Sequence, residues 1–383
     1  MSTWTLVCSS CATSQDGAER ATTCPACGQP FLATYTSPVP SRDALPARWD
    51  MWRYAPVLPL ADGEEPVSLG EGLTPLVDAP ALARALGVRR VWIKDEGVNP
   101  TASFKARGLA AAVTRARALG VPGVVVPTAG NAGAALAAYA AAAGLPARVF
   151  APASTPPAIL ATIRVLGAEL ELVDGHIGDA GRLARAFAAE NGYFDVSTLR
   201  EPYRVEGNRT LGLELAEQLG WRLPDVVVYP TGGGEGVIGM WKAFAEMREW
   251  GWLEASSPVP RFVVAQAAGC APLARAFDAG ADRAEPWENP RTHASGLRVP
   301  APLGDRLVLR AIRETDGIAA AASEAEIRAD TGELSRSTGI DAAPEGGCAL
   351  AVTRRLVAEG RLDRDSEIVI YNTGSGASYR TPD

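Results

Sequence analysis

From residue 90 onward, short apolar runs alternate with longer helical stretches. The predicted strands are residues 91–95, 123–127, 147–151, 169–173, 226–231, 261–266 and 367–371. The predicted helices lie near residues 105–119, 131–144, 156–167, 178–191, 206–220, 235–250, 270–279, 304–314 and 345–359. Runs of this apolar character are typical of strands that are buried on both faces. The alternation therefore predicts an α/β fold built from parallel sheets that helices cover on both sides.

Length, composition and charge narrow the class of protein. A chain of 383 residues exceeds one ordinary core, so we expect two domains and an appendage. The chain opens without a signal-peptide pattern and contains no apolar run of about 18 residues, which predicts a soluble cytoplasmic protein that makes no membrane contact. A formal net charge of −7 argues against nucleic acid as a partner.

Four of the six cysteines lie within the first 27 residues, in two pairs that each enclose two residues. They are Cys8, Cys11, Cys24 and Cys27. Two such turns can present four thiolates to one ion, and Zn²⁺ is the usual occupant of a site with four thiolates. We expect a structural zinc ribbon, with two disulfides or a redox pair as the alternatives. Cys270 and Cys348 are expected to be small core residues.

Lys105 is one of only three lysines in the chain and stands at the predicted start of a helix. A cation at a helix N-terminus opposes the helix dipole, which favours the neutral amine. The neutral amine is the form that attacks a carbonyl carbon. A solvated surface lysine is the alternative interpretation.

Two glycine-rich segments follow apolar strands. Residues 229–237 contain Gly232, Gly233 and Gly234 between a strand and a helix, where free N–H groups and the helix dipole can bind a phosphate. The spacing matches neither a dinucleotide-binding motif nor a P-loop. Thr373 follows the last predicted strand, at a position where parallel sheets bind ligands. The chain has only two histidines, His176 and His293, and neither lies in the context of a serine hydrolase.

Several dispersed segments resemble, in this order, motifs of the fold-type II pyridoxal-phosphate enzymes, and more closely those of the threonine synthases. They are residues 71–76, 103–105, 127–133, 229–237, 294–299, 345–346 and 368–376. The resemblance spans roughly residues 8 to 379. It implies a fold like that of the tryptophan synthase β chain, with two parallel-sheet domains and, here, an added zinc ribbon. The expected domains are the ribbon at 1–34, a large cofactor-binding domain with an N-terminal arm at 35–105 and 206–383, and a small domain at 106–205.

The resemblance also assigns roles to individual residues. Lys105 is implied to bind pyridoxal 5'-phosphate covalently and to act as the catalytic base. The other implied cofactor ligands are Asn131, Gly232, Gly233, Gly234, Glu235, Gly236 and Thr373. The implied substrate-binding residues are Ser103, Thr128, Ala129 and Gly130. A helix N-cap is the alternative or additional role for Asn131.

The implied reaction is that of a lyase of amino-acid biosynthesis, which converts O-phosphohomoserine to L-threonine and phosphate, in a homodimer. Ala129 and Ala132 stand where threonine synthases typically have hydroxyl residues, so we expect Arg107, Arg204, Arg209 or Arg298 to replace the lost donors. The alternatives are β-elimination or β-replacement on O-phosphoserine, serine or threonine, as in dehydratases and cysteate synthases, or a non-catalytic binding protein. The closing lysine of the family's last glycine motif is also missing, and Tyr379 follows Ala377 and Ser378.

Overall fold

The computed structural model describes residues 4–35 and 38–380. Its strands are β1 (Trp4–Cys8), β2 (Ser14–Asp16), β3 (Phe31–Tyr35), β4 (Leu76–Asp78), β5 (Arg90–Asp95), β6 (Val124–Pro127), β7 (Ala147–Pro152), β8 (Glu169–Val173), β9 (Phe194–Asp195), β10 (Val226–Pro230), β11 (Arg261–Ala267), β12 (Ile318–Ala322) and β13 (Glu367–Asn372). Its α-helices are α1 (Pro80–Leu86), α2 (Lys105–Ala118), α3 (Asn131–Ala143), α4 (Pro157–Val165), α5 (Ile177–Asn191), α6 (Tyr203–Gln218), α7 (Glu235–Glu249), α8 (Pro272–Asp278), α9 (Asp305–Glu314), α10 (Glu324–Thr338) and α11 (Pro344–Ala358).

The predicted strands and helices are all present, with small shifts at their ends. The sequence did not predict the short strands β4 and β9 or the helices α1 and α10. It also missed β12, whose sequence is one isoleucine followed by four alanines. Alanine has a low strand propensity, and β12 forms because it pairs in parallel with β11 over five residues.

Contacts divide the chain into two compact units. Unit 1 consists of residues Met1–Leu73 and Lys105–Leu213, and unit 2 consists of Thr74–Phe104 and Glu214–Asp383. The domain bounds expected from the sequence stay a prediction. Residues 1–3, 36–37 and 381–383, which those predicted domains include, lie outside the described residues.

Each unit has a parallel sheet. In unit 1 the order is β8-β7-β6-β9, with every neighbouring pair parallel. In unit 2 the order is β12-β11-β10-β13-β5-β4, and β4 alone is antiparallel to its neighbour. Unit 1 also holds the small antiparallel sheet β2-β1-β3, in which β1 ends at Cys8. The predicted α/β class with parallel sheets is confirmed.

A buried ion pair lies beside the sheet of unit 2. The ammonium group of Lys94, on β5, contacts the carboxylate of Glu214, and both side chains are fully buried. Lys94 Nζ also donates to the carbonyl oxygen of Thr74 at 2.6 Å and to Oε1 of Gln218 at 2.9 Å. These additional bonds satisfy the ammonium protons, which a buried charge requires.

The expected N-terminal arm contains both buried and exposed aromatic residues. Trp52 and Tyr54 are buried, and Trp52 Nε1 donates to Oε1 of Glu71 at 2.8 Å. Trp49, in contrast, is 88% exposed. Among the described residues, no helix combines the length and apolar character needed to span a bilayer.

Candidate active site

The carboxyl ends of β10 and β13 form one edge of the sheet in unit 2. The two strands are parallel neighbours, with Val228 opposite Ile370. The glycine turn, defined as residues 231–236, follows β10, and Thr373 follows β13. Because parallel strands end at a common edge, the sheet brings the glycine turn and Thr373 to the same side, where ligands of such sheets bind.

The glycine turn has a backbone that only glycine fits at several positions. Gly234 precedes α7 with a φ of 91°, a left-handed conformation. A Cβ atom at Gly232 would lie 2.3 Å from the carbonyl oxygen of Gly296, and one at Gly236 would lie 2.3 Å from the hydroxyl of Tyr229. The first N–H groups of α7 have no acceptor within the helix, so the turn offers donors and a positive dipole end to an anion. Glu235, the first residue of α7, is buried.

Ser103 and Phe104 lie beside Thr373 within unit 2. The Phe104 N–H donates to the carbonyl oxygen of Thr373 at 3.1 Å, and Ser103 forms an isolated β-bridge with Gly374. Ser103 is 1% exposed, and its Oγ has no hydrogen-bond partner among the described residues. A buried hydroxyl without a partner is costly, which favours a ligand that bonds to it.

The turn that leads to Ser103 is strained. Thr101 and Ala102 adopt left-handed φ values of 63° and 56°. This conformation costs about 1–2 kcal/mol for each residue other than glycine and persists where the surroundings impose it. The surroundings here include the bond from the Ser375 N–H to the carbonyl oxygen of Ala102, at 2.9 Å. Such strain is typical of functional sites.

Lys105 and the segment 128–131 belong to unit 1. Lys105 follows Phe104 in the chain and is the first residue of α2, which confirms its predicted position at a helix start. Asn131 is the first residue of α3, and Gly130 occupies the N-cap, so the interpretation of Asn131 as the cap is wrong. The hydroxyl of Thr128 donates to the carbonyl oxygen of Gly130 at 2.6 Å and accepts from the N–H of Gly133 at 3.2 Å, which fixes this turn. Ala129 is half-buried.

Three of the four arginines expected to replace the missing hydroxyls are buried inside unit 1. Arg107, Arg204 and Arg209 are fully buried. Arg204 Nη1 donates to the carbonyl oxygen of Val196 at 2.8 Å, and Arg107 Nη1 donates to the Thr210 hydroxyl at 3.1 Å. Arg209 contacts the carboxylate of Glu206 at 3.4 Å.

Arg298 differs from the other three candidate arginines because its side chain is half-buried. It belongs to unit 2 and directly follows the short 3₁₀ turn Ser295–Leu297. Arg298 is therefore the member of this group that keeps an accessible fraction.

Tyr229 packs against Phe104 next to the candidate site, and the sequence did not single it out. Its ring lies edge-on to Phe104, with the centroids 5.8 Å apart, and 5.2 Å from the ring of Tyr371. Tyr229 lies near the end of β10, all of whose residues are buried. A tyrosine in a buried strand usually belongs to the core, so its sequence context gives no sign of a site. The one signal that could have indicated its place beside the candidate site is its position two residues before the glycine turn.

The four N-terminal cysteines converge in unit 1. The Sγ atoms of Cys8, Cys11, Cys24 and Cys27 all lie within 4.8 Å of one another, and all four cysteines are free rather than disulfide-bonded. The Sγ atoms of Cys8 and Cys27 are 3.4 Å apart, and those of Cys11 and Cys24 are 3.6 Å apart. Four thiolates bound to one zinc at about 2.3 Å would be about 3.8 Å apart, so the cluster has room for such an ion.

Comparison with known proteins identifies the family. The family model described as pyridoxal-phosphate dependent enzyme matches residues 67–374. The threonine synthase of Methanosarcina acetivorans is 36% identical over 325 residues, which cover 85% of this chain and 79% of that protein. The threonine synthase of Methanocaldococcus jannaschii is 36% identical over 327 residues, which cover 85% of this chain and 80% of that protein. The solved structure of a T.th. threonine deaminase has a TM-score of 0.66 and 26% identity, and the match covers 81% of this chain and 94% of that one. The chain belongs to the pyridoxal-phosphate-dependent enzyme family.

The described residues fit this cofactor. A glycine turn at a helix N-terminus suits its phosphate, and the unpartnered hydroxyl of Ser103 suits a polar ligand at the same edge. When bound, the cofactor supplies an electron-withdrawing ring that makes the Cα–H bond of an attached amino acid acidic. The chain itself has to position that ring and supply the base.

Gly232→Ala tests the glycine turn. The added Cβ would overlap the carbonyl oxygen of Gly296, so the turn has to shift. We expect the affinity of the apoprotein for pyridoxal phosphate to fall about tenfold or more, because overpacking costs about 1–3 kcal/mol. Fluorescence titration measures this affinity. Gly332→Ala on α10 is the control, because its Cβ would meet only the guanidinium end of Arg336. Equal affinity of the two variants for the cofactor would contradict the prediction.

Proposed function

We propose that this enzyme is a threonine synthase, which converts O-phosphohomoserine and water to L-threonine and phosphate. The observation that carries this proposal is the similarity to threonine synthases over 85% of the chain. The positions of Lys105, at a helix start, and Thr373, at the sheet edge, support it as well.

In this proposal each group of residues has one task. Lys105 would hold the cofactor covalently, and its neutral amine would move the proton at the substrate Cα. The N–H groups of residues 232–236 bind the cofactor phosphate, and Asn131 donates to the ring oxygen. Ser103 and the segment 128–130 bind the substrate. The Thr373 hydroxyl would hold the ring nitrogen, and because this hydroxyl is uncharged, it would favour elimination and replacement over transamination.

Lys105→Ala is expected to remove the covalent attachment of the cofactor. The variant should lose the visible absorbance of bound cofactor, and borohydride reduction of the wild-type protein followed by peptide mapping should label Lys105. The other two lysines are expected to stay unlabelled, because Lys94 is fully buried in its ion pair and Lys242 pairs with Glu246. Label on either of them would show that the assignment is wrong.

Substrate assays distinguish threonine synthesis from the alternatives. We expect phosphate release and threonine formation from O-phosphohomoserine, and we expect Arg298→Ala to raise its KM about tenfold or more, because a bond to a charged phosphate contributes about 1.5–3 kcal/mol. Arg328→Ala, on an exposed part of α10, is the control. Efficient formation of pyruvate or 2-oxobutyrate from serine, O-phosphoserine or threonine, without threonine synthesis, would instead favour the β-elimination alternative that Ala129 and Ala132 suggest.

We propose in addition that Cys8, Cys11, Cys24 and Cys27 bind a structural zinc ion. The close approach of the four sulfur atoms supports this proposal, as does the bond from the Ser10 N–H to Cys8 Sγ, at 3.5 Å. Four protein ligands leave no open position on the metal, so a catalytic role is not expected. A ribbon of this size depends on its metal to fold.

Metal analysis tests this site. Protein purified without chelators should contain about one zinc per chain, and the double variant Cys11→Ser, Cys27→Ser should contain none. Cys270→Ala, outside the cluster, should keep the zinc. Activity should change little on zinc removal if the ribbon is structural. Wild-type protein that lacks zinc and has disulfides in the ribbon would contradict the proposal.

The proposal also covers the domains of the chain, its oligomeric state and its cellular compartment. We propose a zinc ribbon at 1–34, a large cofactor domain at 35–105 and 206–383 and a small domain at 106–205, in a cytoplasmic homodimer. The exposed indole of Trp49 supports a subunit contact, because large exposed aromatic side chains are common at interfaces. The free cysteines support a reducing compartment.

A further inference from the structure

Glu345 is a buried carboxylate to which two distant segments of unit 2 donate hydrogen bonds. It lies in the first turn of α11 and is 5% exposed. Its Oε1 accepts from the Gly296 N–H at 2.8 Å and from the Tyr379 hydroxyl at 2.5 Å. One oxygen atom therefore joins α11, the short 3₁₀ turn Ser295–Leu297 and the C-terminal turn Gly376–Tyr379.

The 3₁₀ turn at Ser295–Leu297 is in turn packed against the glycine turn. The position of a Cβ at Gly232 lies 2.3 Å from the carbonyl oxygen of Gly296 and 2.9 Å from Cγ2 of Val299. A Cβ at Gly296 would lie 2.9 Å from Oε1 of Glu345, so glycine allows the close approach on this side too. Glu345 thus sets the position of the peptide that contacts Gly232.

Tyr379 is held as a donor to this carboxylate. Burial raises the pKa of Tyr379 well above its usual value, and the nearby Glu345 carboxylate raises it further, so the phenol keeps its proton. The Ser295 hydroxyl donates to Tyr379 at 3.3 Å. The other end of the C-terminal turn is held separately, because Asp341 Oδ2 accepts from the Ser375 hydroxyl at 3.0 Å and from the Ala377 N–H at 2.9 Å.

We propose that Glu345 and Tyr379 are positioning residues that hold the turn Ser295–Leu297 against Gly232 and so maintain the shape of the cofactor-phosphate site. In this role the C-terminal turn Gly376–Tyr379 acts through the hydrogen bond from the Tyr379 hydroxyl to Glu345. We call the hydrogen-bonded set of Glu345, Tyr379 and the turn Ser295–Leu297 the clamp. The link from the clamp to cofactor binding rests on the proposed function, whereas the clamp itself is a property of the protein alone.

Hydrogen exchange of the apoprotein, read by mass spectrometry of peptides, tests the clamp without the cofactor. Tyr379→Phe removes one hydroxyl and is expected to accelerate exchange of residues 294–299 about tenfold, with little change in unit 1. Tyr193→Phe removes a hydroxyl in unit 1 and is the matched control. Exchange of residues 294–299 that equals the wild-type rate, or equal acceleration in all peptides, would overturn the proposal.

A second pair of variants keeps the test independent of folding defects. Glu345→Gln retains an oxygen acceptor, so exchange of residues 294–299 should stay closer to the wild-type rate than in Glu345→Ala, and equal rates in the two variants would overturn the clamp. The dissociation rate of pyridoxal phosphate, followed by absorbance, should rise in Tyr379→Phe and not in Tyr193→Phe. If the wild-type protein binds no pyridoxal phosphate, the proposed function fails while the exchange experiment still decides on the clamp.

Discussion

The insertion of β13 between β10 and β5 is the constraint on which the geometry of unit 2 depends. All six residues of β13 are buried, and the strand pairs in parallel on both sides. The amide of Asn372, at its end, donates to Oδ1 of Asp95 at 2.8 Å, and its oxygen accepts from the N–H of Ala343 at 3.1 Å. The end of β13 therefore fixes the end of β5, from which the chain continues to Ser103, and the start of α11, which carries Glu345.

Buried charged groups also help to fix the segments of unit 2, and burying them has an energetic cost. Removing one partner of a buried ion pair such as Lys94–Glu214 destabilises a protein by about 3–5 kcal/mol, because the remaining charge has no counter-ion. Lys94 also bonds to the carbonyl oxygen of Thr74, and the Thr74 hydroxyl donates to Oε1 of Glu96 at 2.6 Å. Glu96 in turn accepts from Asn99 at 2.7 Å, at the start of the strained turn that leads to Ser103. The network thus connects the sheet to the segment before Lys105.

The sequence predicted those features that depend on local pattern. Apolar runs revealed the strands buried on both faces, and the spacing of the cysteines correctly indicated that their sulfur atoms converge. The contacts of Glu345 were not predictable, because its partners Gly296 and Tyr379 are 49 and 34 residues away in the chain. The alanine strand β12 was missed for a related reason, since only its pairing with β11 makes it a strand. Whether an exposed aromatic such as Trp49 packs on its own chain is likewise decided by tertiary structure.

The position of β13 also has a consequence for the order in which the protein can assemble during synthesis. The parallel sheet of unit 1 uses residues between 124 and 195, so its strands are all available once that stretch has been made. The sheet of unit 2 cannot close until residues 367–372 arrive, because its strands β10 and β5 are neighbours only through β13. Until then the apolar flanks of both strands lack their partner, and such unpaired edges are prone to aggregation. The nascent chain therefore exposes the unpaired edges of β5 and β10 until residues 367–372 have been made, and a chaperone can act on unit 2 during that interval.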